Sequence, residues 1–202
     1  GVVNAGDGLH AHPTQALIDL YTMRNHFGGS RNNLRGVKVV IVGDILHSRV
    51  ARSNFWALIS VGAKVTLCGP PMLLPHHFLY DRNQEGDNRL SLVELDTNLD
   101  RAIENADVVM ALRIQTERQE AGLISSLREY SSMYQVNEQR LARANSDVIL
   151  LHPGPINEGI EISTQVARGA HSLIEEQVRN GVAVRMSMLY LLMRHRQEGR
   201  GI

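Results

Sequence analysis

Four short segments hold side chains able to bind and activate a small anionic substrate. His12-Pro13-Thr14-Gln15 stands where a helix begins. Unpaired backbone N–H groups and the helix dipole favour an anion there, and an imidazole beside a carboxamide can hydrogen-bond a carbonyl oxygen and an amide. Plain helix capping, with His12 turned to solvent, accounts for the same four residues. Arg49 and Arg52 follow the apolar run that ends at Gly43-Asp44. Arg113, with Gln115 two residues on, follows the run that ends at Leu112. Arginines at the ends of two strands suit a ligand with two carboxylates, because each guanidinium can hold one through paired hydrogen bonds. Such charge-assisted bonds are worth roughly 1.5–3 kcal/mol, against about zero to one for a surface ion pair, the ordinary role of any single arginine. In His152-Pro153-Gly154-Pro155, two prolines around a glycine remove donors and fix the backbone. The turn can therefore present carbonyl oxygens to an amide NH2, although standing alone it reads first as a rigid turn.

Two other chemistries fail on spacing. His10 and His12 form an H-x-H pair, but no further ligand cluster supports zinc, so no metal is expected. The turn from Gly43 to Ser48 follows a strand and invites a dinucleotide reading. The G-x-G-x-x-G pattern would need glycine at positions 45 and 48, which hold Ile and Ser. A nicotinamide oxidoreductase is therefore disfavoured, and no organic cofactor is expected.

These segments need elements to position them. Pro13 suits the first turn of a helix running to Phe27, with Leu17, Leu20 and Tyr21 at i, i+3, i+4 spacing, and Gly28-Gly29-Ser30 stops it. Val37 to Val42 is a β-branched run typical of a strand buried on both faces. A helix over 48–61, a strand over 64–68, a strand over 90–95 and a helix over 99–105 follow. Strands are expected at 108–112 and 148–151, with a polar, helix-prone stretch over 115–145 between them. A final helix spans 172–194, with Asn180-Gly181 as a candidate interruption. Strands separated by helices imply right-handed crossovers and an open parallel sheet flanked by helices, an α/β fold. In such sheets ligands sit beyond the carboxyl ends of the strands. The loops there, 43–52, 113–118 and 152–158, are the chemically rich ones.

Composition narrows the class. In 202 residues, 21 Lys+Arg balance 21 Asp+Glu, so no general attraction to nucleic acid or anionic membrane is expected. Hydrophobic residues make up 43%, enough for a packed core. The one cysteine, Cys68, excludes an intramolecular disulfide and reads as a small buried apolar residue. No apolar run approaches the roughly 20 residues needed to cross a bilayer. No basic leader precedes the first turn, and a soluble, cytoplasmic protein is the expectation. The chain has no initiator Met and opens with Val2-Val3 running into a glycine-rich turn, as the interior of a larger protein would.

Taken together, the motifs resemble the aspartate carbamoyltransferase family nearly end to end. Asn4 to Gly8 with His12 to Leu20 is similar to its carbamoyl-phosphate segment, and Val42-Gly43-Asp44 with Ser48 to Ser53 to its first aspartate loop. Arg113 to Arg118 resembles the second aspartate loop, His152 to Pro155 the carbamoyl-holding turn, and Asn180 to Met186 the last helix. The resemblance implies a Rossmann-like aspartate domain and transfer of a carbamoyl group from carbamoyl phosphate to L-aspartate, in pyrimidine synthesis, without metal or cofactor. It implies that His12 polarises the carbonyl, Gln15 binds the carbamoyl moiety, and the backbone of Gly154 and Pro155 orients its NH2. Arg49 and Arg113 would grip the aspartate carboxylates, with Gln115 beside them. Arg52, Glu117 and Arg118, read from their loops alone, do no more than brace the site.

The family's Ser-Thr-Arg-Thr phosphate loop is not in the sequence. Residues 1–27 are accordingly expected to be the trailing edge of a carbamoyl-phosphate domain, 28–172 the aspartate domain and 173–202 a helix returning to the first. Apolar surface should be exposed on the two linking helices, and the 202 residues alone should be inactive. A homotrimer is implied for the full-length enzyme, with or without other pyrimidine-pathway subunits. Ornithine carbamoyltransferases carry Ser-Met-Gly and His-Cys-Leu-Pro motifs that are missing here. An ornithine-type enzyme and a non-catalytic assembly or regulatory domain stand as the alternatives.

Overall fold

A computed structural model of the chain describes residues 2–8, 10–76, 88–114 and 126–198. Five strands, β1 (Lys38–Val42), β2 (Lys64–Cys68), β3 (Val93–Asp96), β4 (Val108–Ala111) and β5 (Ile149–Leu151), form one sheet in the order β3-β2-β1-β4-β5. Every pairing is parallel, with Val39 opposite Val65 on one side and Val108 on the other. The helices are α1 (Pro13–Phe27), α2 (Arg49–Ser60), α3 (Leu99–Ala102), α4 (Leu127–Tyr134), α5 (Glu138–Leu141), α6 (Thr164–Ala167) and α7 (Ile174–Glu198). Among the described residues no helix is long and apolar enough to cross a membrane.

The sheet is covered on both faces, and the two-residue period of a strand sorts its side chains between two cores. Val39, Ile41, Val65, Leu67, Val108, Met110, Ile149 and Leu151 pack with Phe55, Leu58 and Ile59 of α2 and Met23 of α1. Their neighbours Val40, Val42, Val109, Ala111 and Leu150 face Ile103, Tyr130, Tyr134, Val136, Ile162 and Val166. Fully burying an aliphatic or aromatic side chain of this size contributes about 1.5–3 kcal/mol, so the sandwich supplies the main cohesion.

Two details depart from the sequence reading. Asn180-Gly181 does not interrupt the last helix, which runs unbroken from Ile174 to Glu198. A Cβ at Gly181 would lie 3.5 Å from Ile18 Cδ1, so this glycine marks the close crossing of α7 over α1. Of the Leu17, Leu20, Tyr21 stripe, half-buried Leu20 packs against the core while the other two do not. Leu17 and Tyr21 are 44% and 46% exposed, while Thr14, Gln15, Ile18, Asp19 and Thr22 are buried.

Candidate functional site

From β1 the chain builds outward to β2 and β3, then crosses back to add β4 and β5 on the other side. The reversal puts the switch point of the sheet at the carboxyl ends of β1 and β4, where open parallel sheets take ligands. Gly43 closes β1 there with φ +138°, and a Cβ on it would lie 2.9 Å from the Leu112 carbonyl oxygen and 3.0 Å from Leu112 Cβ. Leu112 N–H donates to Val42 O at 2.9 Å, so half-buried Arg113 emerges beside the exit of β1. Asp44 is buried and accepts from both His47 N and His47 Nδ1, at 3.2 and 2.8 Å. Ser48 Oγ then caps α2 by accepting from Ala51 N at 3.1 Å, which sets Arg49 in its first turn.

Arg49 reaches back toward the start of the chain. Asn4 and Asp7 fold that loop by accepting from Gly6 N and Ala11 N, at 2.8 and 2.7 Å. A Cβ at Gly6 would lie 2.9 Å from Arg49 Nη1 and 3.0 Å from its Cζ, so the guanidinium lies on bare backbone. His12 is the residue preceding α1, and its side chain makes no capping bond. Its backbone N–H donates to Ser53 Oγ of α2 at 2.8 Å, and its Nδ1 lies 3.3 Å from Thr14 Oγ1. Burial, then the positive charges of Arg49 and Arg185, hold the His12 imidazole below the usual histidine value, so it is neutral at pH 7. When the Thr14 hydroxyl donates to Nδ1, the ring proton rests on Nε2 and is available to an oxyanion.

Gln15 lies one turn on, and its Nε2 donates to Asp19 Oδ1 at 2.9 Å. Gln177 of α7 donates to the same oxygen at 2.8 Å, while its Oε1 accepts from His152 N at 2.9 Å. Through these bonds α1 is joined to the turn after β5. Gly154 N donates to His152 Nδ1 at 2.8 Å, which leaves the other ring nitrogen, Nε2, to face Glu161 Oε1 at 3.3 Å. Both side chains are fully buried, and Glu161 Oε1 also accepts from Asn157 N at 2.6 Å. Gly154 and Pro155 themselves are exposed, on a backbone held from beneath.

Of the residues singled out in the sequence, His12, Gln15, Arg49, Gly154 and Pro155 thus belong to one connected region, with Arg113 at the neighbouring strand exit. Gln115, Glu117 and Arg118 lie outside the described residues. Asp19, Asn54, Gln177, Glu161 and Arg185 carry no signal of their own in the sequence. A buried carboxylate in an otherwise helical segment is invisible until the partners that surround it are known. Among the described residues no group of three metal-binding side chains gathers.

The fold and the placement of these loops define an α/β ligand-binding domain of the open, parallel kind. The family model for the aspartate/ornithine carbamoyltransferase Asp/Orn binding domain matches residues 35–192, and the chain belongs to this family. The aspartate carbamoyltransferase catalytic subunit of Desulforamulus reducens is 55% identical over 191 residues, covering 95% of this chain and 57% of that protein. That of Desulfitobacterium hafniense is 50% identical over 193 residues, covering 96% and 57%. The aspartate transcarbamoylase of Trypanosoma cruzi, solved in complex with carbamoyl aspartate and phosphate, matches with TM-score 0.76 at 26% identity, over 93% of this chain and 57% of that one. The chain therefore spans a little under three fifths of the length of these relatives.

Proposed function

We propose that the chain is the aspartate-binding portion of an aspartate carbamoyltransferase, which moves the carbamoyl group of carbamoyl phosphate onto the amine of L-aspartate. The products are N-carbamoyl-L-aspartate and phosphate, and the setting is pyrimidine synthesis in the cytoplasm. The observation that carries the reading is the gathering of His12, Arg49 and the His152 turn toward the carboxyl end of the sheet, in a chain half identical to aspartate carbamoyltransferase catalytic subunits. Neutral His12 polarises the carbamoyl carbonyl. Gln15 Oε1 and the backbone carbonyls of the Gly154-Pro155 turn accept from the carbamoyl NH2. Arg49 and Arg113 each hold one carboxylate of aspartate, with Gln115 beside them. The amine attacks the carbonyl carbon, the C–N bond forms, the C–O bond to phosphate breaks, and the amine proton leaves with the phosphate. Positioning and oxyanion stabilisation carry such an acyl transfer.

In this reading residues 28–172 form the aspartate domain, while 1–27 and 173–202 lie against the carbamoyl-phosphate domain of a homotrimeric full-length enzyme. Support comes from a groove of about 620 Å³ between α1 and α7, lined by Leu20, Tyr21, Met188 and Leu191 among others. It continues into an apolar strip on which Val182, Met186 and Leu189 are 60%, 65% and 56% exposed, more than an isolated soluble surface ordinarily carries. The test uses the full-length protein. Carbamoyl phosphate with L-aspartate should give N-carbamoyl-L-aspartate, and L-ornithine should give no product. Arg113→Ala should abolish use of aspartate and spare carbamoyl-phosphate binding measured by calorimetry. Turnover of ornithine, or unchanged turnover of aspartate by the variant, would reject the assignment.

A further inference from the structure

One heavily partnered buried group is not used by the reaction just described. Asp19 is fully buried, and its carboxylate accepts from three primary amides on three helices: Gln15 Nε2 and Gln177 Nε2 on Oδ1, and Asn54 Nδ2 on Oδ2 at 2.7 Å. A carboxylate can only accept, so each amide must turn its nitrogen inward and its oxygen outward. The outward oxygen of Gln177 takes the His152 N–H. The outward oxygen of Gln15 has no partner among the described residues and is left to the site.

We propose that Asp19 is a positioning residue: it fixes the Gln15 amide with its oxygen toward the carbamoyl NH2 and, through Gln177, sets the height of the His152 turn opposite. This rests on the functional reading above. Without the carboxylate, nothing distinguishes the two ends of the Gln15 amide, and a flipped amide offers N–H to N–H. Burial raises the Asp19 carboxyl above its usual value while the three amides oppose that rise. The three donors are thus compensation for an otherwise costly buried acid. Thr22 Oγ1 accepts from Asn180 Nδ2 at 3.0 Å one turn further along the same two helices, and holds their spacing independently.

The test is a double-mutant cycle in the full-length enzyme, read as kcat/KM for carbamoyl phosphate, with thermal unfolding recorded for every variant. Asp19→Ala should lose about 10- to 100-fold, the scale of a misplaced binding group. The Asp19→Ala, Gln15→Ala double variant should fall within about threefold of Gln15→Ala alone, as coupled residues do. Asp19→Asn should recover most of the activity. Its Oδ1 still accepts from Gln15 and Gln177, and its Nδ2 can meet Asn54 Oδ1, a buried atom without a partner, once the Asn54 amide turns and gives up its 3.2 Å bond to Val50 O. Should the alanine variant fail to fold, Asp19→Ser runs the same cycle. Losses that multiply in the double variant overturn the inference, as does a folded Asp19→Ala of wild-type activity or an Asp19→Asn no better than alanine. If Gln15→Ala itself leaves carbamoyl-phosphate kinetics unchanged, the functional reading fails first and the inference with it.

Discussion

Gly43→Ala tests whether the two strand exits that carry Arg49 and Arg113 are packed against each other as the geometry implies. The backbone at Gly43 sits at φ +138°, where a side chain strains the chain by about 1–3 kcal/mol. The added methyl would also meet Leu112 O at 2.9 Å and Leu112 Cβ at 3.0 Å, contacts that backbone cannot yield cheaply. Overpacking of this kind adds about 1–3 kcal/mol, so the total is roughly 2–6 kcal/mol. For a domain of this size that is a fall in Tm of at least about 4 °C. Gly36→Ala is the control, since Gly36 has φ +76° with open space around it and carries only the left-handed strain of about 1–2 kcal/mol. Urea unfolding of the two variants beside wild type gives the difference directly. Because Leu112 must move, aspartate KM should rise in Gly43→Ala and stay unchanged in Gly36→Ala. Equal destabilisation of the two variants would refute the close approach, and unchanged aspartate KM would separate it from the site.

Two further outcomes follow from the edges of the fold. Asp107 opens β4 by accepting from Lys38 N, Asn145 Nδ2 and Arg31 at 2.9, 2.7 and 2.7 Å; burial opposes these bonds, yet the carboxyl is held below its usual 3.8. A depressed carboxyl adds stability that is present above the unfolded value and lost as pH falls through the folded one. Asp107→Asn should therefore destabilise at pH 7, and the gap to wild type in urea should shrink below pH 4; a pH-independent gap would contradict it. Cys68 is fully buried, and burial first, then Asp96, pushes its thiol up to about 12. A thiol reagent at pH 8 should label it only as fast as the protein unfolds, and prompt labelling of native protein would place it elsewhere.

The sheet was legible because its signal is local. Val39 to Val42 and Val108 to Leu112 are β-branched or apolar throughout, and a strand buried on both faces needs nothing else. The same pattern pointed to the candidate site, since loops after parallel strands face the ligand side. What could not be read is the inside of α1. Periodicity assigns the core to the stripe Leu17, Leu20, Tyr21, whereas only Leu20 of these packs inward and the helix buries Gln15, Asp19 and Thr22; Asp19 and Thr22 find partners 158 residues away in Gln177 and Asn180. Asn180-Gly181 misled for a related reason: the glycine serves contact between helices, and the helix gains from the crossing more than glycine propensity takes away.

The inversion of α1 has a physical logic. On the proposed function, α1 presents an imidazole and an amide to substrate from its first turn; those groups need orienting, and orientation comes from buried acceptors and donors rather than from apolar packing. Placing Asp19 inward gives that task part of the buried face, which α1 also uses for Ala16, Ile18 and Met23, and leaves Leu17 and Tyr21 on the outer side. They are free to meet something else, and Leu17 and Tyr21 stand beside the exposed residues of α7 along one continuous groove. Polar positioning on the inside and apolar contact on the outside are thus two consequences of one choice of face. If the outer stripe is covered in the full-length protein, Leu17→Ser and Tyr21→Ser should weaken that coverage while the Asp19 amides keep their bonds. Hydrogen exchange would read the two separately: faster exchange in α7 beyond Gly181 with unchanged protection at His152 N–H supports the division, and loss of protection at both would show that one face cannot be altered without the other.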